Sequence, residues 1–155
     1  MSRKSVFVKV SGDLCLLPEF VARIEKIARE YFVVICVGGG TQINKGFEKA
    51  GIALEEYGPL GRETKTFEER QLARDILEVN QARLQDHLAK EKITATVIIP
   101  VLDIGSVLCH VNGDQMVRTC YLGFDHLFVM TTPDRLEQKK KDFAGLPKVQ
   151  VLSFG

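Results

Sequence analysis

Apolar and polar positions alternate in blocks along the chain. Val6–Val10 is a short β-branched and aromatic run that ends at the turn cluster Ser11-Gly12-Asp13. Phe20, Ile24, Ile27, Ala28 and Tyr31 then recur with helical spacing, with Pro18 where a first turn tolerates proline. Phe32–Val37 is continuously apolar, as suits a strand covered on both faces, and it runs into Gly38-Gly39-Gly40. Thr41 is the expected cap of a following helix that carries Ile43 and Phe47.

The stretch from Gly51 to Gly61 reads as loop or short strand. Thr66 and Glu69 form a capping box opening a long helix to about Lys90, with Leu72, Ile76, Val79, Leu84 and Leu88 expected on its inner side. Ala95–Val101 reads as one apolar strand, and Ile104–Val111 as one or two short strands around Gly105. Met116–Leu122 is an expected helix, Leu127–Met130 a strand, Thr131–Arg135 a turn and Val149–Leu152 a last strand. The Lys139-Lys140-Lys141 triplet between them reads as a solvated face.

Strands alternating with helices predict an α/β fold, a mostly parallel sheet covered on both faces. In such sheets ligands bind beyond the carboxyl ends of the strands. The polar clusters Lys9–Asp13, Gly38–Gln42, Asn112–Gln115 and Thr131–Asp134 all fall at such ends.

Composition narrows the classes. The 155 residues suit one domain, 1–155, and 45% hydrophobic with 26% charged residues excludes disorder. A formal charge of +1 argues against a nucleic-acid partner, and no apolar run reaches membrane-spanning length. Cys15, Cys36, Cys109 and Cys120 lack metal or redox spacing, so free thiols and a cytoplasmic location are expected. His87, His110 and His126 show no metal spacing and receive no role.

Four clusters carry candidate chemistry, each with two readings. Gly38-Gly39-Gly40 is either an anion cradle of inward-turned amides or a tight turn needing positive φ. Its spacing matches neither a P-loop nor a dinucleotide fingerprint. Lys9 either faces a site beside Ser11 and Gly12 or sits on an edge strand with its ammonium in water. Asn112-Gly113-Asp114 is either a cap and turn or a pair that organises lysines or a metal. Arg62 either forks onto a carboxylate or phosphate or is an exposed loop arginine.

In this order the clusters resemble the amino acid kinase family. Val8-Lys9-Val10-Ser11-Gly12 is similar to the opening strand of its uridylate kinases. Val37-Gly38-Gly39-Gly40-Thr41-Gln42-Ile43 and Gly61-Arg62-Glu63-Thr64 are similar to segments of its acetylglutamate kinases, as is Val79-Asn80-Gln81 in the long helix. Val111-Asn112-Gly113-Asp114-Gln115 resembles the family's asparagine-x-aspartate motif, and Gly123–Val129 the strand after it.

The resemblance implies a three-layer αβα sandwich that moves the γ-phosphoryl of ATP, with Mg2+, to a small carboxylate or phosphate acceptor, and a homodimer. It implies Lys9 and Asp114 as catalytic residues, Ser11, Gly12, Gly38, Gly39 and Gly40 as phosphate-binding, and Arg62 and Asn112 as acceptor-binding; no residue is assigned to a metal. The family continues into a nucleotide-binding half with a second catalytic lysine, whereas this sequence ends at Gly155. Lys148 lies in the wrong context to replace that lysine, and Thr131–Arg135 departs from the family's threonine-aspartate-valine-x-glycine turn. The alternative expectation is therefore an inactive binding or regulatory protein, also homodimeric, that keeps the acceptor half.

Overall fold

The computed structural model describes residues 2–54 and 57–154. Glu55 and Glu56, in the expected loop after Gly51, lie outside the described residues. Five strands form one wholly parallel sheet: β1 (Ser5–Val10), β2 (Phe32–Val37), β5 (Thr96–Ile98), β8 (His126–Thr131) and β9 (Val149–Ser153). Their order across the sheet is β5-β2-β1-β8-β9. Two antiparallel ribbons stand apart, β3 (Tyr57–Gly58) with β4 (Gly61–Arg62), and β6 (Val101–Ile104) with β7 (Val107–His110). The expected three-layer α/β sandwich is the observed one.

Alternation along β1 sorts its side chains between two cores. Val6, Val8 and Val10 face the layer of α1 (Pro18–Glu30) and the second half of α3 (Phe67–Lys90), packing with Phe20, Ile24, Leu84 and Leu88. Phe7 faces the opposite layer of α4 (Gly113–Cys120) and α5 (Leu136–Asp142), packing with Met116, Val117 and Phe143. Lys9 shares the parity of Phe7 and so points into the α4–α5 layer. A third core joins Ile43 and Phe47 of α2 (Gly40–Lys49) to Ala73 and Leu77 of α3.

Several boundaries differ from the pattern reading. The run at Ala95–Val101 breaks at Pro100, so β5 ends at Ile98 and Val101 opens the β6–β7 ribbon. That ribbon turns through Gly105 (φ 57°) and Ser106 (φ 69°), the paired positive φ values that a two-residue hairpin requires. The inner stripe of α3 is Ala73, Leu77, Asn80, Leu84 and Leu88. Val79 is exposed, and Leu72 and Ile76 are only partly buried at the flank. A buried asparagine breaks the apolar stripe, which shifts the apparent face by one residue. Thr66 caps α3 as expected, accepting from the Glu69 amide at 3.1 Å. Thr41 does not cap α2: Gly39 is the capping residue, and the Thr41 hydroxyl donates to Asp13 at 2.7 Å.

Candidate active site

From β1 the chain steps to β2 and β5 on one side, then returns to β8 and β9 on the other. The resulting switch point lies between β1 and β8, where a parallel sheet opens a crevice beyond its strand ends. An open cleft of about 550 Å³ occurs there, lined by Lys9, Ser11, Gly38, Gly39, Gly40, Arg62, Asn112 and Asp114 among others. Eight of the nine expected site residues therefore meet in one cavity.

The ninth, Gly12, lies behind the cleft wall. A Cβ there would fall 2.5 Å from both Asn80 Nδ2 and Gln42 Oε1. Polar side chains press on this position, a packing reason for glycine that stands beside the phosphate-binding expectation.

Lys9 lies on the central strand, paired with Cys36 on one side and Val129 on the other, which excludes the edge-strand reading. Its ammonium sits 3.4 Å from Asp114 Oδ1, and each side chain is only 15% exposed. The other Asp114 oxygen accepts from Lys139 Nζ. Lys139 is thus a buried member of the cleft, 7% exposed, and the solvated-face reading of the triplet fails for it. The spacing contained the signal: Lys139 falls four residues before Phe143, which packs in the core on this side of the sheet.

Two ammonium groups share one carboxylate. Burial lowers the Lys9 pKa, and the nearby Lys139 and Arg135 lower it further, against the pull of Asp114. Burial alone would raise Asp114, but Lys9 and Lys139 outweigh it and hold its carboxyl below the usual range. The cluster carries an excess of positive charge in a partly dry setting, the condition under which an arriving anion gains most.

None of Gly38, Gly39 and Gly40 has a positive φ, so the tight-turn reading does not account for them. A Cβ on Gly39 would meet Asn80 Nδ2 at 2.7 Å and Leu77 Cδ2 at 3.0 Å, whereas Gly38 and Gly40 have room. The loop is fixed from behind. Asn80 Nδ2 donates to the Gly38 carbonyl at 3.0 Å, and Asp13 accepts from Gln42 at 2.9 Å. The first turn of α2 has neither a side-chain cap nor an acidic residue, which leaves its amides available to an anion.

Asn112 Oδ1 caps α4, accepting from the Asp114 amide at 2.9 Å. Asn112 lines the cleft as well, so the capping and site readings hold together. Arg62 is not a free loop arginine. Its Nη2 donates to Asn44 Oδ1 at 2.6 Å and Tyr57 Oη at 2.8 Å, and its guanidinium lies over the Phe47 and Tyr57 rings. Pattern reading gave no site role to Lys139, Asn80, Tyr57, Arg135 or His110, all drawn to this region by packing between distant segments.

The donor set does not suit a resident magnesium ion. Asp114 is engaged by two ammonium groups and Asp13 by Thr41 and Gln42. Among the described residues no group of three or more His, Cys, Asp or Glu is placed to hold a metal. No described helix is long and apolar enough to cross a membrane.

No family model matches the chain, and no curated protein matches it. Among solved structures it is similar to smu.665 from Streptococcus mutans UA159, with a TM-score of 0.67 at 14% identity. The likeness covers 98% of this chain and 95% of that one, and it bears on the fold alone: a parallel sheet between two helical layers.

Proposed function

We propose that the chain is an amino-acid-kinase-like phosphotransferase, moving the γ-phosphoryl of ATP to a small carboxylate or phosphate acceptor. The observation that carries this reading is Lys139, which brings a second ammonium onto Asp114 opposite Lys9. A loose phosphoryl-transfer transition state spreads charge over three equatorial oxygens, so catalysis rests on positioned cations and amides. Lys9 and Lys139 would flank the moving group, with Asp114 fixing the gap between them. The open side of Gly38–Gly40 would supply amide donors.

The acceptor would enter at the Arg62 end. Its carboxylate or phosphate oxygen is already anionic, so attack needs no general base. That oxygen forms its bond to the γ-phosphorus as the bond to the β–γ bridging oxygen breaks, and ADP leaves with the electron pair. Magnesium would arrive as the counter-ion of the nucleotide, held by phosphate oxygens, not by carboxylates of this chain.

The test is incubation of labelled ATP and magnesium with N-acetylglutamate, glutamate, aspartate, carbamate, UMP and isopentenyl phosphate. Label transfer to any one of them that is lost in Lys139→Met supports the reading. No transfer to any of them overturns it, and nucleotide binding without transfer would return the chain to the role of a binding protein.

A further inference from the structure

The Arg62 end of the cleft holds two buried nitrogen atoms without a hydrogen-bond partner among the described residues. Arg62 spends Nη2 on Tyr57, Asn44 and, at 3.4 Å, the Gly40 carbonyl, while Nη1 is buried and bare. His110, the last residue of β7, lines the same cleft, and its Nδ1 is likewise buried and bare. The two segments are pressed together: a Cβ on Gly61 would fall 2.7 Å from the Asn112 Cβ. Buried polar atoms in folded proteins are paired in the great majority, so two orphans at one cleft wall mark a place where something else supplies the partner.

We propose that Arg62 and His110 form an anion pocket for one carboxylate or phosphoryl group of the acceptor, which His110 meets as an imidazolium. The pocket deepens the proposed phosphotransferase, resting on that reading only for calling its ligand the acceptor. A guanidinium N–H and an imidazolium N–H are both donors, and together they match two oxygens of one oxyanion.

The pocket's own surroundings favour the neutral form of His110 for identifiable reasons. Burial lowers its pKa below the ordinary 6.5, and the facing Arg62 lowers it further. The surrounding elements offer little to offset that. β6 sets Val101 opposite His110 and carries Asp103 toward the exposed hairpin end. α3 turns Leu77 to the cleft, while Arg70 is tied to the Thr64 carbonyl and Arg74 to Asp75 and Glu78. Lys9, Arg135 and Lys139 add positive charge along the same cleft, and Asp114, Asp13 and the Tyr57 hydroxyl are already engaged. An arriving anion reverses this balance, and His110 takes its proton from solvent as the ligand binds.

Binding is then proton-linked: affinity falls by up to about tenfold per pH unit between the low midpoint of the free chain and the raised midpoint of the complex, and levels off above the latter. The experiment titrates inorganic phosphate and, separately, succinate into the full chain without nucleotide, following the three histidine resonances. The His110 signal is identified by its loss in His110→Asn. With either anion its midpoint is expected to rise, calorimetry in two buffers of different ionisation heat should show more proton uptake than in His110→Asn, and that variant should keep only the pH dependence of the anion's own ionisation. A response to one anion alone supports the pocket and tells carboxylate from phosphoryl. A midpoint unmoved by both anions, or a pH dependence and proton uptake in His110→Asn equal to those of the unaltered chain, overturns it. Phosphoryl transfer with an uncharged His110 would sink the pocket and spare the kinase, while proton-linked binding without transfer would do the reverse.

Discussion

Lys9, Asp114 and Lys139 differ in what each removal leaves behind. Asp114→Asn strips the counter-charge from two ammonium groups and should cost about 2–4 kcal/mol, somewhat under a fully buried pair because Asp114 keeps some solvent. Its folded pKa is depressed, so this contribution is present above the ordinary 3.8 and lost as pH falls through the lowered value. Lys9→Met leaves a balanced Lys139–Asp114 pair and should stabilise the fold at neutral pH by on the order of 1 kcal/mol, about 2–4 °C in melting temperature. The Lys9 pKa is lowered on folding, so its charged form costs stability in full below that lowered value. The cost is relieved as pH rises toward 10.5, and the gain from Lys9→Met should shrink over that window. Thermal melts across pH read both effects. Within the triplet, Lys139→Met should reduce phosphoryl transfer by about 10²–10³, while Lys140→Met, whose exposed ammonium pairs with Glu137, should leave it unchanged.

At the scale of elements, the glycine loop and the long helix are one device. The 24-residue α3 reaches about 36 Å, and its Asn80 holds the back of the loop at Gly38 while Leu77 presses on Gly39. Gly39→Ala forces the helix side chains away and should cost about 1–3 kcal/mol in urea unfolding. Gly38→Ala meets only the Val10 carbonyl at 3.8 Å, an ordinary contact, and should fold normally. The same device shows where the sequence was legible. Strand cores such as Val33–Val37 and the Thr66 cap follow from local chemistry and could be read directly. The inner face of α3 was misplaced because its central residue is polar, and that asparagine is buried for a partner 42 positions earlier. Lys139 reads as part of a solvated polar stretch, because its helix goes unassigned and its partner Asp114 lies 25 residues away on another element.

Over the whole molecule the charge is nearly balanced at +1, yet the cleft gathers Lys9, Arg62, Arg135 and Lys139 against Asp13 and Asp114. Topology does this: the switch between β1 and β8 draws loops from both halves of the chain to one end of the sheet. The four-cluster arrangement was readable because strand ends are readable, whereas Arg135 and His110 join it only through tertiary packing. A chain of nearly balanced charge that gathers four cations in this cleft should bind polyanions there. Pyrophosphate at about 100 times its Kd should then stabilise the fold by about 2.7 kcal/mol, raising the melting temperature by roughly 5–10 °C. The increment should fall as sodium chloride rises from low salt to about 1 M, where the Debye length drops to about 3 Å, but only in part, because the cluster is partly shielded from solvent. In Lys139→Met most of the increment should vanish at every salt concentration. An equal rise in that variant would mean that the anion binds diffusely to the surface, and the cleft would lose its claim to be the anion site.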